Sequence, residues 1–185
     1  LSLNNPVTGL GLTKVGSGRT GGTNSLRAGG LGIGVLTSLS DVFKGLMAVL
    51  ITTWLFGDAL GPARLPWAQA LAGVMSVVGH NWSIFLKFGG GAGTGPNVGW
   101  STAVWPWVFP IAFVVMVGLL LGVGMASVAS LSMAAVTIVI FAVRYALGLD
   151  TTLAYLVGSL VAGAAITWAL RPNIRRLLDG TERRV

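Results

Sequence analysis

Cysteine is absent from the 185 residues, histidine occurs once and acidic residues number five. Without a thiol there is no disulfide and no thiolate metal site. So few imidazole and carboxylate donors leave no ligand set for a metal ion, and no cofactor is expected. Charge of either sign is scarce: 9% of the residues are Asp, Glu, Lys or Arg, against about 25% in soluble domains. What fills the chain is apolar, 54% of the residues with a mean hydropathy of +0.81. Such a composition belongs to a protein embedded in a bilayer. The net charge is nevertheless +7. In a membrane chain this excess is expected to mark a cytoplasmic face and phosphate-bearing partners such as phospholipid head groups, and not nucleic acid.

Read along its length, the chain is one membrane domain over residues 1–185, all-α, a bundle of about five to six transmembrane or half-membrane helices with glycine-rich cytoplasmic loops. Residues 1–30 read as a polar N-terminal loop without an evident signal peptide, 31–170 as the bundle and 171–185 as a basic cytoplasmic tail. Leu31–Leu55 is the first span, interrupted by Asp41 and Lys44, and Asp58–Pro66 is a turn. Trp67–Val78 is a second, shorter span, and Gly89–Gly99 is a glycine loop. Ala126–Ala146 and Thr151–Trp168 are the last two spans.

Between them, Pro106 and Pro110 break the apolar run Trp100–Val123. As helix that run would cover ~36 Å, enough for one crossing or two shorter arms. An in-and-back hairpin is preferred on charge grounds. It gathers Lys14, Arg19, Arg27, Lys87, Arg171, Arg175, Arg176, Arg183 and Arg184 on one face and leaves Arg64 and Arg144 on the other. By the positive-inside rule the first face is cytoplasmic.

Three polar segments punctuate the apolar sequence: GSGRTGGTNSLR (Gly16–Arg27), GHNWSIFLKFGGGAG (Gly79–Gly93) and RPNIRRLLDGTE (Arg171–Glu182). Each has a plain reading. The first is a loop capping the span that begins near Leu31, the lone His80 is satisfied at a helix end, and the third is a juxtamembrane basic helix lying on anionic lipid. Asp41 and Lys44, three apart on one helix face, form either an ion pair or part of a site. Ser127 and Ser130 lie among small residues of the kind that pack membrane helices together.

In order and spacing, the three segments resemble the signature motifs of the bacterial acyl-phosphate:glycerol-3-phosphate acyltransferases, roughly SGNIGATN, GHxFPVFLxFKGGKGVAT and RHxxNIxRLLxGTE. The resemblance runs from Lys14 to the C-terminus. It implies transfer of a fatty acyl group from acyl-phosphate to the 1-hydroxyl of glycerol 3-phosphate in phospholipid synthesis. It also implies residence in the bacterial inner membrane, with the motifs and C-terminus cytoplasmic. Both substrates carry phosphate, which glycine-loop amides and cationic side chains bind. On that basis Ser17, His80 and Asn173 are the candidate catalytic groups. Gly18, Arg19, Gly21, Thr23, Asn24, Arg27, Lys87, Gly90, Gly91, Gly93, Ser127 and Arg176 are the candidate phosphate contacts.

Several family positions are altered. Gly89 and Ala92 stand where the family has lysines, Gly124 where it has an arginine and Leu170 where it has a histidine. Arg19 and Lys87 are the cations expected to compensate. The family also has a span ahead of its first motif. Here that span is expected to have been processed away, to be missing from an incomplete copy or to have been lost. Two functions stay open on these residues: a working acyltransferase, or a degenerate homologue serving as a structural or lipid-binding subunit beside other membrane proteins. A small transporter fits less well, because Asp41 and Lys44 are the only ionisable groups deep in a span and no inverted repeat is visible.

Overall fold

The computed structural model describes residues 18–185, in which five α-helices and one short 3₁₀ turn form an all-helical bundle. Helix α1 (Gly22–Asn81) is broken twice, at Gly30 (φ 80°, ψ −180°) and Gly61 (φ 65°, ψ 176°). Both angles fall where essentially only glycine goes, so each break is a single-residue reversal. The register across them follows from contacts. A β-carbon at Gly22 would meet Ser38 and one at Gly34 would meet Leu26, pairs centred on Gly30. Gln69 donates to Thr53 at 2.7 Å, and His80 lies 3.5 Å from Asp41, pairs centred on Gly61. The helix is therefore a zigzag of three antiparallel pieces. The turn expected over Asp58–Pro66 is compressed into Gly61, with Pro62 at the start of the next piece, where its missing N–H removes no helical bond.

The third reversal is the hairpin α2 (Thr94–Val104) and α3 (Val108–Gly122). The chain is extended at Trp105, and Pro106 follows. Pro110 sits in the first turn of α3 and does not break it, since those N–H groups lack helical acceptors anyway. Val98 and Ala112, centred on Trp105, share one core cluster with Met133, as an in-and-back hairpin requires. Helices α4 (Ala126–Ala146) and α5 (Ala154–Leu178) complete the bundle. Trp100 at its centre is fully buried and stacks on Phe141, with ring centroids 5.5 Å apart.

Three expected boundaries are corrected. The loop read over 1–30 gives way to helix at Gly22, because the first piece of α1 packs back on the second through glycine positions. The loop read over Gly89–Gly99 ends at Gly93. Gly95 and Gly99 are helical because they press on α1: a β-carbon at Gly99 would lie 1.9 Å from the Val42 carbonyl oxygen. Close packing there outweighs the poor helix propensity of glycine. Finally, α5 continues through Arg171–Leu178, so only residues 179–185 of the basic tail are non-helical.

Candidate functional site

The zigzag, the hairpin and the end of α5 bring distant polar segments to one end of the bundle. The first segment is tied to the second: Arg19 Nη1 donates to the Gly91 carbonyl at 3.1 Å and Thr20 N to that of Gly90 at 3.4 Å. A further Arg19 donor reaches the Ala169 carbonyl on α5. Asn24 is buried and donates to the Arg19 carbonyl at 2.9 Å. Burial first, and the neighbouring Arg176 next, push the Arg19 guanidinium below its ordinary value, while Glu182 acts in the opposite sense. A group that begins so high still carries its charge at neutral pH.

The tail returns to the same place. The Glu182 carboxylate, with its side chain 4% exposed, accepts from Ser127 at 2.8 Å, Asn173 at 2.9 Å and Arg176 at 3.0 Å. Burial would raise its pKa. The hydrogen bonds from Asn173, Ser127 and Arg176, with the charge of Arg176, outweigh burial and hold it below the usual carboxylate value. Val185 N donates to the Gly124 carbonyl at 2.7 Å, and Arg27 donates to that of Arg184 at 2.9 Å.

Within this frame lies a cavity of about 530 Å³. Arg19, Gly21, Thr23, Asn24, Arg27, His80, Gly93, Ser127, Asn173 and Arg176 all line it, so all three segments meet at one space. Its other wall is apolar, built by Val98, Phe109, Ala112, Phe113, Met116, Val117, Leu120 and Met133. At the polar end, the buried oxygens Thr94 Oγ1 and Asn173 Oδ1 have no hydrogen-bond partner. Unpaired buried polar atoms are uncommon in proteins and call for an explanation; a ligand hydroxyl or phosphate would supply one. Among the described residues no group of three or more His, Cys, Asp or Glu is arranged to hold a metal ion.

Four of the expected contacts are placed elsewhere. Lys87 is exposed and left-handed (φ 53°) at the tip of a tight loop closed by the Ser83–Gly89 bridge, which carries it off the cavity wall. Gly90 and Gly91 wrap His80 instead: a β-carbon at Gly91 would lie 2.0 Å from His80 Nε2. Gly18 does not line the cavity either, and Ser17 lies outside the described residues.

Asp41, left open as an ion-pair member or a site residue, sits beside His80 on the cavity wall, and Thr94, Glu182 and Arg183, which the sequence did not single out, join them. The Asp41–His80 pairing is readable only once the reversal at Gly61 is known. Asp41 also accepts from Lys44 at 2.8 Å, so it is both an ion-pair member and a wall residue. Of the altered family positions, Ala92 and Leu170 line the cavity, whereas Gly89 and Gly124 do not.

A family model described as Glycerol-3-phosphate acyltransferase matches residues 3–180. The Glycerol-3-phosphate acyltransferase of Rubrobacter xylanophilus is 38% identical over 176 residues, covering 95% of this chain and 82% of that protein. The one from Halalkalibacterium halodurans is 34% identical over 170 residues, covering 92% and 80%. The crystal structure of PlsY (YgiH), an integral membrane glycerol 3-phosphate acyltransferase, in its glycerol 3-phosphate form matches with a TM-score of 0.81. The identity is 35%, over 98% of this chain and 85% of that one.

Proposed function

The chain belongs to the glycerol-3-phosphate acyltransferase family, and from that premise we propose that it moves a fatty acyl group from an acyl-phosphate to glycerol 3-phosphate. The observation that carries this reading is a cavity with two unlike walls. One wall presents four arginines, Arg19, Arg27, Arg176 and Arg183, against two carboxylates, Asp41 and Glu182. The other is the apolar surface of α2, α3 and α4. Phosphates suit the first and an acyl chain the second. In the reaction the substrate hydroxyl oxygen attacks the acyl carbonyl, the new ester bond forms and the carbonyl–phosphate bond breaks. The hydroxyl proton passes to a base, and phosphate leaves as a stable anion needing no proton.

His80, beside Asp41, is the side chain we assign to receive that proton. Asn173 and Thr94 orient the hydroxyls, Arg176 binds phosphate with the donors that Glu182 leaves free, Ser127 holds Glu182 in place, and Arg27 binds phosphate directly. The N-terminus of α2 at Gly93 adds backbone N–H groups facing the same space. We further infer that residues 1–185 act as one membrane domain in a bacterial inner membrane with the site on the cytoplasmic side. The basic residues gathered at that end support this through the positive-inside rule.

The test is acyl transfer by purified protein in nanodiscs, with palmitoyl-phosphate and radiolabelled glycerol 3-phosphate. Lysophosphatidic acid formation that is lost in Arg27→Ala is the expected result. No product, beside an active relative in the same assay, would overturn the reading and leave a structural or lipid-binding role.

A further inference from the structure

The loop that carries Lys87 away from the cavity has its own character. Ser83 and Gly89 close it, and within it Lys87 (φ 53°) and Phe88 (φ 61°) are the only described non-glycine residues with positive φ. This shape turns large apolar side chains outward: Phe85 is 96% exposed, Ile84 76% and Phe88 68%. Exposed aromatic residues grouped around one cation suit the boundary between acyl chains and head groups.

The depth agrees. The piece of α1 from Gly61 to Asn81 rises ~30 Å at 1.5 Å per residue, which matches the hydrocarbon thickness of a bilayer, about 30 Å. Its outer face, Trp67, Leu71 and Met75, is exposed as a lipid-facing surface should be, and the loop continues that face past the helix end. Ile84–Phe88 therefore leaves the bundle at head-group level.

We propose that Ile84–Phe88 is an interfacial anchor that seats Phe85 and Phe88 among lipid chains and sets Lys87 against the phosphates of anionic head groups. The glycine run whose Gly90 and Gly91 enclose His80 starts one residue later, at Gly89, so the anchor adjoins the segment that packs on this cavity-lining histidine. The inference needs a membrane-embedded chain and does not depend on catalytic activity.

Because the chain has no cysteine, a single nitroxide can be placed without background. Phe85→Cys would be labelled in nanodiscs of phosphatidylcholine with and without phosphatidylglycerol. Collision with oxygen would be compared with collision with a water-soluble nickel chelate. Leu71→Cys serves as the lipid control and Asp179→Cys as the aqueous one. The expected result is an oxygen-to-nickel ratio at position 85 near that of Leu71→Cys. Adding Lys87→Glu should shift the ratio toward the aqueous control only when phosphatidylglycerol is present. A ratio equal to that of Asp179→Cys would place the loop in water and overturn the proposal. Exclusion of both reagents would mean that protein covers the loop, and would overturn it equally.

Discussion

The two ends of the bundle use the same residue types for opposite purposes. At the end away from the motifs, Arg144 holds Asp150 through three hydrogen bonds of 2.8, 3.0 and 3.2 Å and covers the Trp105 ring at 4.7 Å. Nearby, Tyr155 donates to Gln69 at 2.6 Å and Gln69 to Thr53 at 2.7 Å. Arg144 and Asp150 are matched one to one, and the product is a clamp on the tip of the α2–α3 hairpin. At the motif end, four arginines share a cavity with two carboxylates, and two buried oxygens on its wall have no partner. Charge that is balanced and saturated holds a fold together. Charge in excess beside empty hydrogen-bonding capacity is suited to a ligand.

Removing one arginine from each end should separate these roles most sharply. Arg176→Ala takes away a cation from the cavity wall and also a partner of Glu182. A charge-assisted contact to phosphate is worth about 1.5–3 kcal/mol, so acyl transfer should fall by roughly 10- to 150-fold. Arg144→Ala should do the reverse. It strands Asp150, whose side chain is 7% exposed, and should cost about 3 kcal/mol of stability. Turnover per folded molecule should change little. Thermal unfolding in detergent alongside initial rates distinguishes the outcomes, and an Arg144→Ala protein that is stable but inactive would break the contrast.

How far the sequence foresaw these ends depended on whether a signal was local. Composition and motif order were enough for an all-helical membrane bundle, and Pro106 with the charge asymmetry was enough for the hairpin. Gly61 marked a turn. It did not reveal that the two arms stay in register closely enough to set Asp41 beside His80, because that is a property of the packed pair. Gly95 and Gly99 read as loop because intrinsic propensity was the available guide, and packing against Val42 reversed it. Lys87 read as a phosphate contact from its place in the second family motif. The Ser83–Gly89 closure turns it outward, and a left-handed conformation at a non-glycine residue leaves no pattern in sequence. Glu182 carried a motif position but no visible purpose until Ser127, Asn173 and Arg176 were found around it.

The altered family positions sharpen the comparison within the motif end itself. Ala92 lines the cavity and Gly89 does not. Restoring a lysine at each position should therefore give unequal results. Ala92→Lys adds a cation to the phosphate wall and is expected to raise acyl transfer by about tenfold, the equivalent of some 1.4 kcal/mol in the barrier. Gly89→Lys should leave the rate within about twofold, since an exposed lysine outside the cavity is screened by solvent. Equal gains from both would mean that the loop reaches the phosphates by another route.

The smallest effect expected is that of pH on the Glu182 cluster, and its sign follows from the direction of the shift. The folded carboxyl titrates below its ordinary value of 4.5. Between the two values the unfolded chain binds more protons than the folded one, so stability rises with pH across that interval. The contribution is complete above about pH 4.5 and is lost as pH falls through the folded pKa. Acid should thus release the tail from Ser127, Asn173 and Arg176. A nitroxide on Asp179→Cys should gain mobility as pH is lowered below 4.5, and Glu182→Gln should show that mobility already at neutral pH. A tail equally mobile at both pH values in the otherwise native chain would mean that the carboxylate cluster does not hold it, and the motif end would be more open than its hydrogen bonds imply.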